Sequence, residues 1–242
     1  MGIINNLISN PGLVNQIWTK FITMRFNGGD DGPRFPVEFT YYKNLLFKGS
    51  DLHFTYFLNN WVMLSAVIWQ PSFVSLIESH YDAISFEFAG CLMARFKMDG
   101  RYYAAHIHCD QKHQADSRYA WSNFVNLHRN RISELTIFQP GHCSNQSKNT
   151  WGIIDRDGTC YSVILEESQF GETVEILNII RHARYGNCIE DYHILQQFAQ
   201  IPQGAAGDNM FNTQRERLND FWKTGNSEVI YSKNSYSGCN LI

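Results

Sequence analysis

No stretch of this 242-residue chain is apolar for long enough to cross a bilayer. The longest such run, WVMLSAVIW at 61–69, falls well short of the roughly 20 residues that a transmembrane helix needs, so no transmembrane segment is expected. No secretory leader is expected either, because Met1-Gly2-Ile3-Ile4 opens with neither a basic region nor a sustained apolar run. Excess charge of one sign is lacking too: 20 Lys and Arg against 23 Asp and Glu give a formal net charge of −3. With only Arg129, Arg131 and the Arg181–Arg184 region locally basic, nucleic-acid binding is not indicated. The six cysteines (91, 109, 143, 160, 188 and 239) follow no framework spacing and are expected as reduced thiols in a cytosol. No repeat of a solenoid or propeller period is visible. The acidic, glycine-rich NGGDDG at 27–32 lacks the positional pattern of an EF-hand and reads as a connection.

What is present describes a globular protein, with 44% hydrophobic and 14% aromatic residues. The length suits a single domain over 1–242, with an N-terminal helix and linker at 1–33, a core at 34–223 and a loose tail at 224–242. Asn10-Pro11 reads as a helix start leading into GLVNQIWTKFITM. VEFTYY at 37–42 alternates as a strand does, and LHFTYFL and WVMLSAVIW read as strands or a buried helix. PSFVSLIESHY at 71–81 is expected as a short helix, 116–129 as a longer one, and ELTIF at 134–138 as a strand. Residues 150–167 form a hairpin around the turn dipeptide Asp157-Gly158, with 173–180 able to pair beside it. Two further helices are expected at 190–201 and 213–223. This order predicts an α+β fold: a mixed, mostly antiparallel β-sandwich flanked by helices.

The chemistry-bearing stretch is ISFEFAGCLMARFKMDGRYYAAHIHCD at 84–110. Asp99-Gly100 marks a hairpin turn between two strand-like arms. A turn centred between Met98 and Asp99 sets Cys91 opposite His106; one centred a residue later sets it opposite His108. Opposed residues share a face with Cβ atoms about 5 Å apart, so either register gives Cys91 a histidine neighbour. A thiol beside an imidazolium shifts toward thiolate, and the imidazole can then protonate a departing amine. Gly90 permits close backbone approach, and the amides around Gly90-Cys91 can stabilise an oxyanion. Against this stands packing: a strand cysteine is usually core, and a histidine beside it is usually a hydrogen-bonded structural group.

The segment S-F-E-F-A-G-C followed by Y-Y-A-A-H-I-H resembles the active-site signature of the cytotoxic necrotizing factor-like glutamine deamidases, a group that includes Burkholderia lethal factor and the chemoreceptor deamidase. Those proteins carry a small residue-Gly-Cys motif on one strand and a histidine on the next, and several place a threonine six residues before the cysteine. Here the matching positions are Cys91, His106 and Ser85, with Ala89 where Ser is common and Ser85 in place of Thr. The resemblance covers roughly a tenth of the chain. It implies a mixed β-sandwich flanked by helices, no cofactor, and attack by Cys91 on the carboxamide carbon of a protein glutamine. His106 would donate a proton to ammonia, Ser85 would hold His106 or the substrate by a hydrogen bond, and water would release glutamate. An amine in place of water would give transglutamination. It implies a bacterial toxin or effector acting on a host regulatory protein such as a Rho-type GTPase or a translation factor, delivered to the host cytoplasm without a signal peptide; otherwise the protein is expected in the cytoplasm.

Other constellations compete. His106-Ile107-His108 puts two rings on one strand face, and with Cys91, Asp110 or His113 it imitates a metal cluster. No metal is expected there, since a ligated His106 could not serve as proton donor. The terminal Cys239-Asn240-Leu241-Ile242 loosely fits a prenylation box and offers a weak lipid anchor at Cys239. A papain-like or transglutaminase-like Cys-His hydrolase would want Asn or Asp behind the histidine and a nucleophile at a helix start. A non-enzymatic binding module would simply bury Cys91.

Overall fold

The computed structural model describes residues 2–27, 45–56, 60–69, 74–108, 117, 120–121, 124–125, 127–143, 149–169, 171–182 and 227–233. Two helices, α1 (Ile3–Ser9) and α2 (Leu13–Asn27), precede the strands β1 (Leu45–Phe47), β2 (Gly49–Tyr56), β3 (Asn60–Val67), β4 (Val74–Glu78), β5 (Asp82–Phe86), β6 (Leu92–Met98), β7 (Arg101–Ile107) and β8 (Ile132–Phe138). A 3₁₀ turn at Pro140–Cys143 leads to β9 (Asn149–Ile154), β10 (Cys160–Glu167), β11 (Val174–His182) and β12 (Glu228–Ser232). Among the described residues, one sheet has five strands in the order β1-β4-β7-β6-β8 and the other seven in the order β12-β11-β10-β9-β5-β3-β2. Pairing is antiparallel except for β1 with β4 and β3 with β5. The chain is therefore mostly β in two mixed sheets with helices, an α+β class as expected.

Alternation sorts each strand between two layers. On β5, Ile84 and Phe86 join the cluster formed with α1 and α2, where Leu7, Leu13, Ile17 and Phe21 are buried, while Ala83 joins the cluster on the other side. On β6 and β7, Phe96 and Tyr103 face away from the larger sheet; they stack on each other, and Phe96 meets Trp121 and Phe124 edge-on. Those two aromatics, with Ser117, Ala120 and Val125, are buried at helical spacing within the helix expected at 116–129. The opposite faces of the two sheets meet each other, and that interior carries the polar groups described below. The hairpin around Gly158 (φ +83°) and its pairing with β11 match expectation.

Two expectations fail. Val74–Glu78 is a strand rather than a helix, because VSLIE sits between β1 and β7 with its first four residues buried, and a strand covered on both faces needs no alternation. The stretch after 223 is not loose throughout: Glu228–Ser232 pairs with β11 and closes that sheet edge. How the N-terminal segment sits is not legible in its sequence; α1 and α2 pack into the core, with the amide of Ile3 donating to Asp82 Oδ2 from β5 at 3.0 Å. The strand expected at 37–42, the helices at 190–201 and 213–223, and NGGDDG save for Asn27 lie outside the described residues, as do Asp110, His113 and Cys239.

Candidate functional site

The β6–β7 hairpin closes Met98 on Arg101, with Asp99 (φ +49°) and Gly100 (φ +80°) as a two-residue turn. Two successive positive φ angles define the tight primed turn whose twist matches the strands. Met93 therefore lies opposite His106, and Leu92 opposite Ile107. Continued by one residue, the register sets Cys91 across from His108 and diagonal to His106. The first of the two expected registers is thus corrected, and the alternative holds.

His106 reaches from β7 across the interior to the other sheet. Its Nδ1 lies 2.8 Å from Ser85 Oγ, and Ser85 Oγ lies 2.8 Å from the carbonyl oxygen of Val67. A hydroxyl has one proton, and a carbonyl can only accept; Ser85 therefore donates to Val67, and its oxygen accepts from His106 Nδ1–H. The neutral ring then carries its lone pair on Nε2, which is buried and has no hydrogen-bond partner. Phe88 stacks flat on the imidazole, with centroids 4.1 Å apart and planes 10° apart. Burial, reinforced by His108, holds the pKa of His106 well below the ordinary 6.5. The ring is neutral at rest.

Cys91 follows a short loop after β5. Ala89 in that loop is exposed, Gly90 is half-buried, and Cys91 is 6% exposed against 1% for His106. The nucleophile candidate and the imidazole are thus both buried. Since Nδ1 is committed to Ser85 and Nε2 has no partner, thiol and imidazole are not joined by a hydrogen bond. A resting thiolate–imidazolium pair, one expectation from the residue types, does not fit a neutral, desolvated ring. His108 is held elsewhere, its Nδ1 accepting from Trp69 Nε1 at 3.1 Å. Among the described residues no group of three or more His, Cys, Asp or Glu is placed to hold a metal ion.

The surroundings contain residues that sequence reasoning missed. Gln139 donates from Nε2 to the carbonyl of Gly90 at 3.3 Å. Ser162, on the same sheet row as Ser85 with Gly152 between them, donates to Pro140 O at 2.8 Å and meets His182 Nε2 at 2.8 Å. Gly152 must lack a side chain, because a Cβ would stand 2.6 Å from Pro140 Cγ and 2.9 Å from both Met93 Sδ and Phe88 Cε2. Glycine after proline in Gln139-Pro140-Gly141 is a signal of tight passage, but nothing local ties it to Gly90. Compared with known proteins, the chain matches no family model, no curated protein and no solved structure.

Proposed function

We propose that the protein is a cysteine-dependent deamidase that converts a glutamine side chain of a target protein to glutamate. The observation that carries this reading is the Ser85–His106 hydrogen bond, which fixes the tautomer with Nε2 bare, close beneath the loop that bears Cys91. In the reaction, Nε2 takes the Sγ proton as sulfur attacks the carboxamide carbon. A C–S bond forms, and the carbonyl π pair moves onto oxygen. The imidazolium returns its proton to nitrogen, the C–N bond breaks and ammonia leaves. Water then adds to the thioester with Nε2 as base, and the C–S bond breaks to restore the thiol. The low pKa of His106 makes its conjugate acid a strong donor toward the leaving amine, while weakening the ring as a base. An amine in place of water would give transglutamination.

The target, by the resemblance of the Ser85–Cys91–His106 spacing, is a regulatory protein of a host cell, a Rho-type GTPase or translation factor being the model classes. Burial favours the competing reading of a binding module with Cys91 as core. The two separate in one experiment. Lysate proteins exposed to wild type and to Cys91→Ala are compared by mass spectrometry; new glutamine-to-glutamate sites in the wild-type sample alone support the deamidase, and identical samples refute it.

A further inference from the structure

The loop that presents Cys91 is pinned at several points, and the pins converge on one peptide plane. Phe88 N–H donates to Thr150 O at 2.9 Å, fixing the start of the loop to β9. Gly141 passes so close that a Cβ there would stand 2.6 Å from Phe88 O and 2.8 Å from Ala89 O. Pro140, between Gly141 and Gln139, is tied through its carbonyl to Ser162, which His182 holds in turn. From this anchored segment the buried Gln139 reaches Gly90 O. No peptide bond among the described residues is cis. In a trans peptide the C=O and N–H point in opposite directions, so fixing Gly90 O toward Gln139 fixes the direction of the Cys91 N–H.

We propose that Gln139 is a positioning residue: it sets the Gly90–Cys91 peptide plane so that the amide of the nucleophile faces the oxygen that becomes negative during acyl transfer. This rests on Cys91 being the nucleophile, as proposed above. An amide aimed in advance at that oxygen stabilises the transition state without reorganising at the moment of reaction. The proposal separates two steps that a merely structural role would affect together. Acylation of Cys91 by p-nitrophenyl acetate forms a C–S bond, builds an oxyanion and expels p-nitrophenolate. Alkylation by iodoacetamide forms a C–S bond by displacing iodide and builds no oxyanion.

Both rates are measured on the full-length protein, with Cys91 modification followed by peptide mass spectrometry. Gln139→Met keeps the length of the side chain but removes its donor; its acylation rate should fall about tenfold, with alkylation unchanged. Gln139→Leu, which likewise has no donor, serves if the first variant fails to fold. Equal acylation in wild type and variant, or a parallel fall in both rates, overturns the positioning role. Wild-type ester turnover no faster than that of Cys91→Ala would instead remove the nucleophile, and the deamidase reading with it.

Discussion

Two serine–histidine pairs stand on the same face of the seven-stranded sheet, flanking Gly152, and they are built alike. In each, the serine hydroxyl donates to a backbone carbonyl at 2.8 Å (Val67 or Pro140) and meets an imidazole nitrogen at 2.8 Å. Each histidine also has a cysteine near it in register: Cys160 lies opposite His182, and Cys91 is diagonal to His106. The differences decide what each pair can do. His106 is held through Nδ1, leaving Nε2 bare, whereas His182 is held through Nε2, with Nδ1 3.5 Å from Ser227 Oγ. Cys91 follows an exposed loop, whereas Cys160 is fully buried with its sulfur directed at Gly158 O. A buried Ser–His bond is therefore not by itself a sign of catalysis. The bare nitrogen, and a thiol that directly follows a loop with an exposed residue, are what set the first pair apart.

Substitution of the two cysteines gives the largest contrast. Cys91→Ala should abolish glutamine conversion, by on the order of a thousandfold or more, with a stability loss of no more than about 1 kcal/mol, since this thiol is also buried. Cys160→Ala should keep activity and lose stability, about 1 kcal/mol in a denaturant titration. Equal activities in the two variants would erase the distinction between the pairs.

The serines should separate by a smaller factor. Ser85→Ala frees the imidazole from its tautomer, so activity of the folded protein should fall about 10- to 100-fold, the equivalent of ~1.4–2.7 kcal/mol, beside a stability loss of about 1–2 kcal/mol from leaving Val67 O unpaired. Ser85→Thr restores the hydroxyl and should recover most of that loss. Ser162→Ala should act mainly on stability, by about 1–2 kcal/mol, since it leaves Pro140 O unpaired in the interior. If Ser85→Ala melts with Ser162→Ala and keeps its activity, Ser85 is structural.

How much of this was legible in the residues differs by kind of interaction. Asp99-Gly100 and Asp157-Gly158 announced both hairpins, because turn chemistry is local. Ser85 and His106 were legible as partners only through a resemblance, since 21 residues and a change of sheet separate them. The register was ambiguous by one residue, and that shift decides which histidine opposes Cys91. VSLIE read as helical because a strand buried on both faces loses its alternation. Gln139 and the Ser162–His182 pair were illegible, since they act through backbone carbonyls far away in sequence.

A smaller effect follows from the neutral ring of His106. Unfolding exposes the imidazole, whose pKa returns to about 6.5, while the folded state holds it well below that. The unfolded chain then binds a proton that the folded chain refuses. The stability contributed by this group is full above pH ~6.5 and falls as pH drops below it, by at most about 1.4 kcal/mol per unit until the folded pKa is reached. Chemical denaturation from pH 7.5 to 5 should show this slope in wild type and a shallower one in His106→Gln. The same slope in both would mean that His106 does not carry it.

The central claim is that His106 Nε2 is the base for Cys91, and the pH dependence of Cys91 alkylation tests it most directly. Iodoacetamide labelling is resolved by peptide for wild type, His106→Asn and His182→Asn across pH 6 to 9. Cys91 should label faster than Cys160 at every pH, its rate near neutrality should drop about tenfold or more in His106→Asn, and His182→Asn should match wild type. Cys91 as inert as Cys160, or labelling that ignores His106, would contradict the account.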